Sequence, residues 1–85
     1  MTVTVLYFAR LREAFGVSTE QIELPQAIHD ISGLTRWLRE RGGVWEAELA
    51  ETRTVRAAVN QVMAAGDTAV GNGDEIAFFP PVTGG

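Results

Sequence analysis

The sequence predicts an α+β domain: a mixed β-sheet carrying one long helix on one face. Alternating apolar and β-branched residues mark four strands, two before and two after a central helical stretch at 30–43. That stretch is the strongest helical periodicity in the chain. With 85 residues and 46% hydrophobic content there is apolar surface for one core and not for two.

The elements follow in order. Thr2 to Ala9 (TVTVLYFA) is rich in β-branched and aromatic residues and reads as a strand, with Val3, Val5 and Tyr7 on one face and Thr4, Leu6 and Phe8 on the other. RLREAFG places Leu11 and Phe15 at helical spacing and stops at Gly16, a short helical turn. STEQIEL alternates Ile22 and Leu24 against Glu20, Gln21 and Glu23, a second strand ended by Pro25. In DISGLTRWLRERGG, Asp30 is the N-cap, Ile31, Leu34 and Leu38 line one face, and Gly42-Gly43 is the stop. VWEAELAE reads as a further short helix carrying Trp45 and Leu49, and TVRAAVNQ as a strand with Val55, Ala57 and Val59 inward. AAGDTAVGNGD is loop and turn, with Asn72-Gly73 the tight-turn pair. EIAFFPP closes the fold as a strand with Ile76 and Phe78 inward and Ala77 and Phe79 outward, terminated by Pro80 and Pro81, which have no N–H to donate. Residues 1–79 form the domain and 80–85 an extended, flexible tail. The first and last strands are expected side by side at the sheet centre, a β-grasp arrangement.

Composition excludes several classes of function. A net charge of -4 without a basic run argues against nucleic acid as a partner. There is no cysteine, hence no disulfide, thiolate nucleophile or zinc knuckle. Every basic residue is an arginine, which removes P-loop and Schiff-base lysines. Neither a signal peptide nor a membrane span is expected, and the reading is cytoplasmic. A domain this small has little room for an enclosed cavity of ~300 Å³ or more, which argues against a self-contained enzyme.

Most remaining candidates have bland explanations. Trp37 and Trp45 lie beside helical apolar positions and read as core-edge packing. His29 has no second histidine or cysteine beside it and reads as solvated, with no metal site. Gly71, Gly73 and Asp74 lack a following helix and read as a turn, and Glu46, Glu48 and Glu51 as a solvated helix face. One pattern resists such treatment. If the outer strands of the sequence are neighbours, Leu6, Phe8, Ala77 and Phe79 make an apolar patch on the face the single long helix leaves uncovered, and such patches mark partner surfaces. The patch adjoins the strand that leads through Pro80 and Pro81 to Val82, Thr83, Gly84 and Gly85. Two prolines hold that segment extended, and two glycines pass a channel too narrow for side chains.

LYFARLRE, AVNQ and above all GDEIAFFPPVTGG resemble the ubiquitin-like sulfur carriers of the MoaD/ThiS group, within it the small subunits of molybdopterin synthase. The likeness spans the chain, although 26–54 match only in pattern. It implies a ubiquitin-like β-grasp fold and a cycle centred on the Gly85 carboxylate. An adenylyltransferase similar to ubiquitin-activating enzymes would use ATP and Mg²⁺ to adenylate Gly85, and a sulfur donor would convert it to a thiocarboxylate. The tail, Pro80 to Gly85, would then enter a large synthase subunit, in a heterotetramer of two small and two large subunits, and deliver sulfur to a cyclic pyranopterin monophosphate to build the dithiolene. No stably bound cofactor is implied, and the acids and bases would belong to the large subunit. The family's docking positions fall on Phe8, Met63 and Phe79, with Leu6 beside them. Two alternatives stay open here: a sister carrier for thiamin, cysteine or tRNA thiolation, and a non-covalent ubiquitin-like module whose Gly-Gly is idle.

Overall fold

In the computed structural model, which describes residues 1–81, eight elements succeed one another along the chain. They are β1 (Thr2–Tyr7), α1 (Ala9–Phe15), β2 (Thr19–Glu23), α2 (Ile31–Arg39), α3 (Gly43–Glu48), β3 (Arg56–Val59), β4 (Val62–Ala64) and β5 (Glu75–Phe79). The strands form one mixed sheet in the order β2-β1-β5-β3-β4. β1 and β5 run parallel at its centre, with Val5 opposite Ile76 and Tyr7 opposite Phe78, and the remaining pairs are antiparallel. The expected α+β, β-grasp arrangement is therefore present.

The alternation in the central strands builds the core. Val3, Val5, Tyr7, Ile76 and Phe78 are all buried, and the helices cover them with Leu11, Ile31, Leu34, Leu38 and Leu49. Helix α2 begins where Asp30 accepts a hydrogen bond from the Gly33 amide at 2.7 Å, the expected cap. Its other early amides are also satisfied: Ile31 donates to the Thr68 carbonyl at 3.1 Å and Ser32 to that of Gly66 at 2.8 Å. A Cβ at position 66 would run into the Ser32 hydroxyl, so a larger residue there would have to turn that side chain aside.

Four details depart from the sequence reading. The first strand stops at Tyr7, because Ala9 takes φ 53° and turns the chain into α1, leaving Phe8 as its N-cap. Asn60 and Gln61 are not strand but a two-residue turn, with φ 49° and 69°. The Asn60 side chain accepts from the Glu75 amide and donates to Asp74, both at 3.0 Å, which compensates the unusual backbone. That hairpin creates β4, a strand where a loop was expected; three residues leave too short a pattern to read. Finally, Gly42 caps the start of α3 and Gly43 is its first residue, so α2 ends earlier, at the Glu40 cap.

A polar cluster closes the β2 end of the core. The Tyr7 hydroxyl donates to Glu20 at 2.7 Å, and Arg41 grips the same carboxylate at 2.9 and 3.1 Å. The Arg41 guanidinium lies 4.4 Å from the centre of the Trp45 ring, which stacks on Phe15 at 3.8 Å. Trp37 and Trp45 thus pack at the core edge, as expected. Burial, then the bond to Glu20, push the Tyr7 phenol far above its ordinary value of 10.0. Burial also raises the Glu20 carboxyl, but the bonds from Arg41 and Tyr7 outweigh it and hold the group below its ordinary 4.5.

A depressed carboxylate stabilises the fold fully above its unfolded value and loses that contribution as pH falls through the folded value; a raised phenol loses its contribution as pH rises above the ordinary 10.0. Glu20→Gln is expected to cost about 1–2 kcal/mol at pH 7, the about 1.5–3 kcal/mol of a hydrogen bond to a charged group reduced by the partial exposure of the pair. The variant should also lose less stability than the native chain between pH 7 and pH 3. Urea midpoints at both values check this, and an unchanged acid loss would exclude the cluster as its source.

Candidate docking face and tail root

The open face of the sheet is divided between two chemistries. Register aligns Thr19, Leu6, Ala77, Ala58 and Met63 in one row across all five strands. The next row toward the end of β5 pairs Phe79 with Arg56, and Phe8 continues it, its amide donating to the Phe78 carbonyl at 3.1 Å. Phe8 is 47% and Met63 60% exposed, while Leu6, Ala77 and Phe79 are half-buried. In the opposite direction the rows turn polar, with Gln21, Thr4 and Glu75, then Glu23 and Thr2.

Phe8, Leu6, Met63 and Phe79 therefore lie on one face of the sheet, together with Ala77. The facing of Met63 could not be read from the sequence; the β3–β4 hairpin settles it by setting Met63 opposite Ala58. Sequence reasoning missed Ala58, whose small side chain lets Ala77 and Met63 flank it on that face. The alternation of TVRAAVNQ contained this signal, since Ala58 is out of phase with Ala57.

The apolar half is also the half from which the chain leaves the sheet. β5 pairs with β1 through Phe78 and with β3 through Phe79, and Pro80 and Pro81 come next, half-buried. They line a cavity of about 140 Å³ together with Leu11, Val55 and three charged groups, Arg10, Glu48 and Arg53. Glu48 accepts from Arg10 Nε at 3.1 Å and Nη2 at 3.4 Å, and Arg53 Nη1 stands 3.8 Å away. Its side chain is only 13% exposed. Glu48 is thus no part of a solvated face, whereas Glu46 and Glu51 are exposed as expected. Residues 82–85, with Val82, Thr83, Gly84 and Gly85, lie outside the described residues.

A concavity of about 450 Å³ beside Ser32, Thr35, Arg36 and Arg39 includes neither Pro80 nor Pro81 nor any outward residue of β1 or β5. Among the described residues no group of His, Asp and Glu could hold a metal, and no helix is long and apolar enough to cross a membrane. His29 is exposed, and Gly71, Gly73 and Asp74 form the expected turn, with the Gly71 amide on Asp74 Oδ2 at 2.7 Å.

Comparison with known proteins joins this geometry to a lineage. A match to the ThiS family covers residues 5–85. The chain belongs to the ThiS family. It is 41% identical over 83 residues to the molybdopterin synthase sulfur carrier subunit of Haemophilus influenzae, covering 98% of this chain and 99% of that one. The Escherichia coli protein of the same name is 36% identical over 83 residues, with the same coverage of both. Among solved structures, a molybdopterin converting factor subunit 1 from Pyrococcus furiosus superposes with a TM-score of 0.79 at 33% identity, covering 96% of this chain and 99% of that one. The resemblance carried by the GDEIAFFPPVTGG segment is thus matched by similarity along the whole chain.

The exposed aromatic and thioether side chains of a docking face contribute little to folding. Met63→Gln and Phe8→Gln are expected to change unfolding free energy by no more than about 0.5 kcal/mol, against about 3–5 kcal/mol for Phe78→Ala in the core. Chemical denaturation of the three variants measures the contrast.

Proposed function

We propose that this ThiS-family chain is a sulfur carrier subunit that works through its C-terminal glycine. The observation that carries the reading is the continuity of the apolar half-face, Leu6, Phe8, Met63, Ala77 and Phe79, with the strand that runs into Pro80 and Pro81. A partner that covers this face receives the tail at the same time. The relatives named sulfur carrier subunits of molybdopterin synthase support the pathway.

In this reading the Gly85 carboxylate is activated first, because resonance and negative charge make it a poor acyl donor. An adenylyltransferase joins it to the α-phosphate of ATP, with Mg²⁺, and pyrophosphate leaves. Sulfur from a donor then displaces AMP and gives the thiocarboxylate. Docked on a large synthase subunit, two carriers to two large subunits, the chain presents that sulfur to a cyclic pyranopterin. The sulfur attacks a pterin side-chain carbon and replaces the oxygen bonded there, which leaves with the C–O electron pair and takes up a proton, and water later cleaves the acyl–sulfur bond to restore the carboxylate. Two such deliveries make one dithiolene. Tethering turns a bimolecular attack into an effectively intramolecular one, and the catalytic acids and bases belong to the partner. The carrier itself supplies docking surface, a stiff spacer and glycines that fit a narrow channel.

The test supplies chemically prepared thiocarboxylated protein, the large subunit and the cyclic pterin, and monitors dithiolene formation. Deleting Gly85 is expected to abolish transfer with thermal stability nearly unchanged, and Gly84→Val to impair transfer almost as much. Glu46→Ala and His29→Ala should transfer at close to the native rate. Undiminished turnover without Gly85, or equal activity of the plain carboxylate form with no sulfur source, would overturn the mechanism.

Phe79→Arg examines the docking half separately. A charge placed in the desolvated patch is expected to weaken binding of the large subunit by about 2–4 kcal/mol, while the circular dichroism spectrum stays native. Loss of that spectrum together with binding would place Phe79 in the core instead.

A further inference from the structure

We propose that Glu48, held between Arg10 and Arg53, is a positioning residue that sets the direction in which the C-terminal segment leaves the sheet. The proposal rests on the carrier reading above and concerns how the tail is aimed rather than how the partner is held.

Three elements distant in sequence meet at this point. Arg10 stands in the first turn of α1, Glu48 is the last residue of α3, and Arg53 lies in the connection before β3. The two arginines are 59% and 43% exposed, while the carboxylate they share is 13% exposed. Arg10 Nε and Arg53 Nη1 both approach Glu48 Oε1, at 3.1 and 3.8 Å, and Arg10 Nη2 donates to Oε2 at 3.4 Å. Arg10, Glu48 and Arg53 also line the same cavity as Pro80 and Pro81.

Ladder hydrogen bonds cannot do the aiming. Pairing of β5 ends at Phe79, opposite Arg56, and neither proline has an N–H with which to extend it. Each proline has a fixed φ, so side chains lining the same cavity restrict where Pro80 and Pro81 can lie. Glu48 restrains those side chains, holding the Arg10 guanidinium through two hydrogen bonds and pairing with Arg53 at 3.8 Å. It is distinct from the docking surface: Leu6, Phe8, Met63 and Phe79 lie on the open face of the sheet, while Glu48 closes the end of α3. Removing its charge should therefore leave docking intact and misdirect delivery. Misplacement of a reacting group by about 1 Å costs on the order of 100-fold in rate, so a partial loosening should be readily visible.

The experiment compares native and Glu48→Gln chains, both thiocarboxylated, in sulfur transfer with the large subunit and the cyclic pterin. Glu48→Gln is expected to lower kcat about 10-fold with KM for the carrier within twofold, and Glu48→Asp, which keeps the charge, to recover part of the loss. In the isolated chains, the ¹³C resonances of Pro80 and Pro81 and the ¹⁵N relaxation of Thr83 should change in Glu48→Gln and not in Glu46→Gln. Native kcat in Glu48→Gln, or a kcat loss matched by an equal rise in KM, would overturn the proposal. Should Glu48→Gln not fold, Arg53→Met decides through the same two readouts, and unchanged values there also overturn it. If the native thiocarboxylate transfers no sulfur, the carrier reading fails, and the resonances of Pro80, Pro81 and Thr83 still judge the positioning role alone.

Discussion

Everything in this structure depends on the parallel pairing of β1 with β5. It brings the first and last strands of the chain together at the centre of the sheet, each flanked on its other side by an antiparallel neighbour. The inward residues of the pair, Val3, Val5, Tyr7, Ile76 and Phe78, supply the middle of the core. Their outward neighbours Leu6 and Ala77 supply the middle of the open face. Because the final strand is central and not an edge, the C-terminal segment emerges from the most constrained part of the molecule.

The two faces divide the work. One is covered by helices and carries the folding free energy, through close-packed aliphatic and aromatic burial. The other is left open, and its apolar rows gather at the end where β5 gives way to the prolines, while Thr2, Thr4, Gln21, Glu23 and Glu75 occupy the opposite end. This gradient gives a partner both a place and an orientation.

Arginine does the polar work at the edges of the core. With no lysine in the chain, the two carboxylates that sit least exposed in ion pairs, Glu20 and Glu48, are both met by planar guanidinium forks. Arg41 also spreads over Trp45, so one side chain neutralises Glu20 and seals an aromatic stack. Two such clusters, one at the β2 end and one at the tail root, close gaps that a core this small cannot fill with apolar side chains alone.

Much of this was legible in the sequence. Period-two alternation assigned the inward and outward faces of β1 and β5, Asp30 announced the start of α2, and Asn72-Gly73 marked a turn whose Gly73 takes φ 85°. The C-terminal segment carried the family resemblance. Such features depend on residues a few positions apart, and a local pattern records them faithfully. What the pattern could not contain was contact between distant elements. Arg10 and Glu48 are 38 residues apart, and Arg41 and Glu20 21, so an acidic residue in a helix reads as solvated until the docking of α1 on α3, or of β2 beside the end of α2, brings its partner. The same holds for β4, three residues whose strand character comes from pairing with β3, and for Met63, whose facing is set by the Asn60–Gln61 turn. The sequence by itself determined which faces β1 and β5 bury; only the tertiary structure decided which charges meet, which way Met63 faces and where the tail root lies, because those depend on the relative placement of elements that no short stretch of chain encodes.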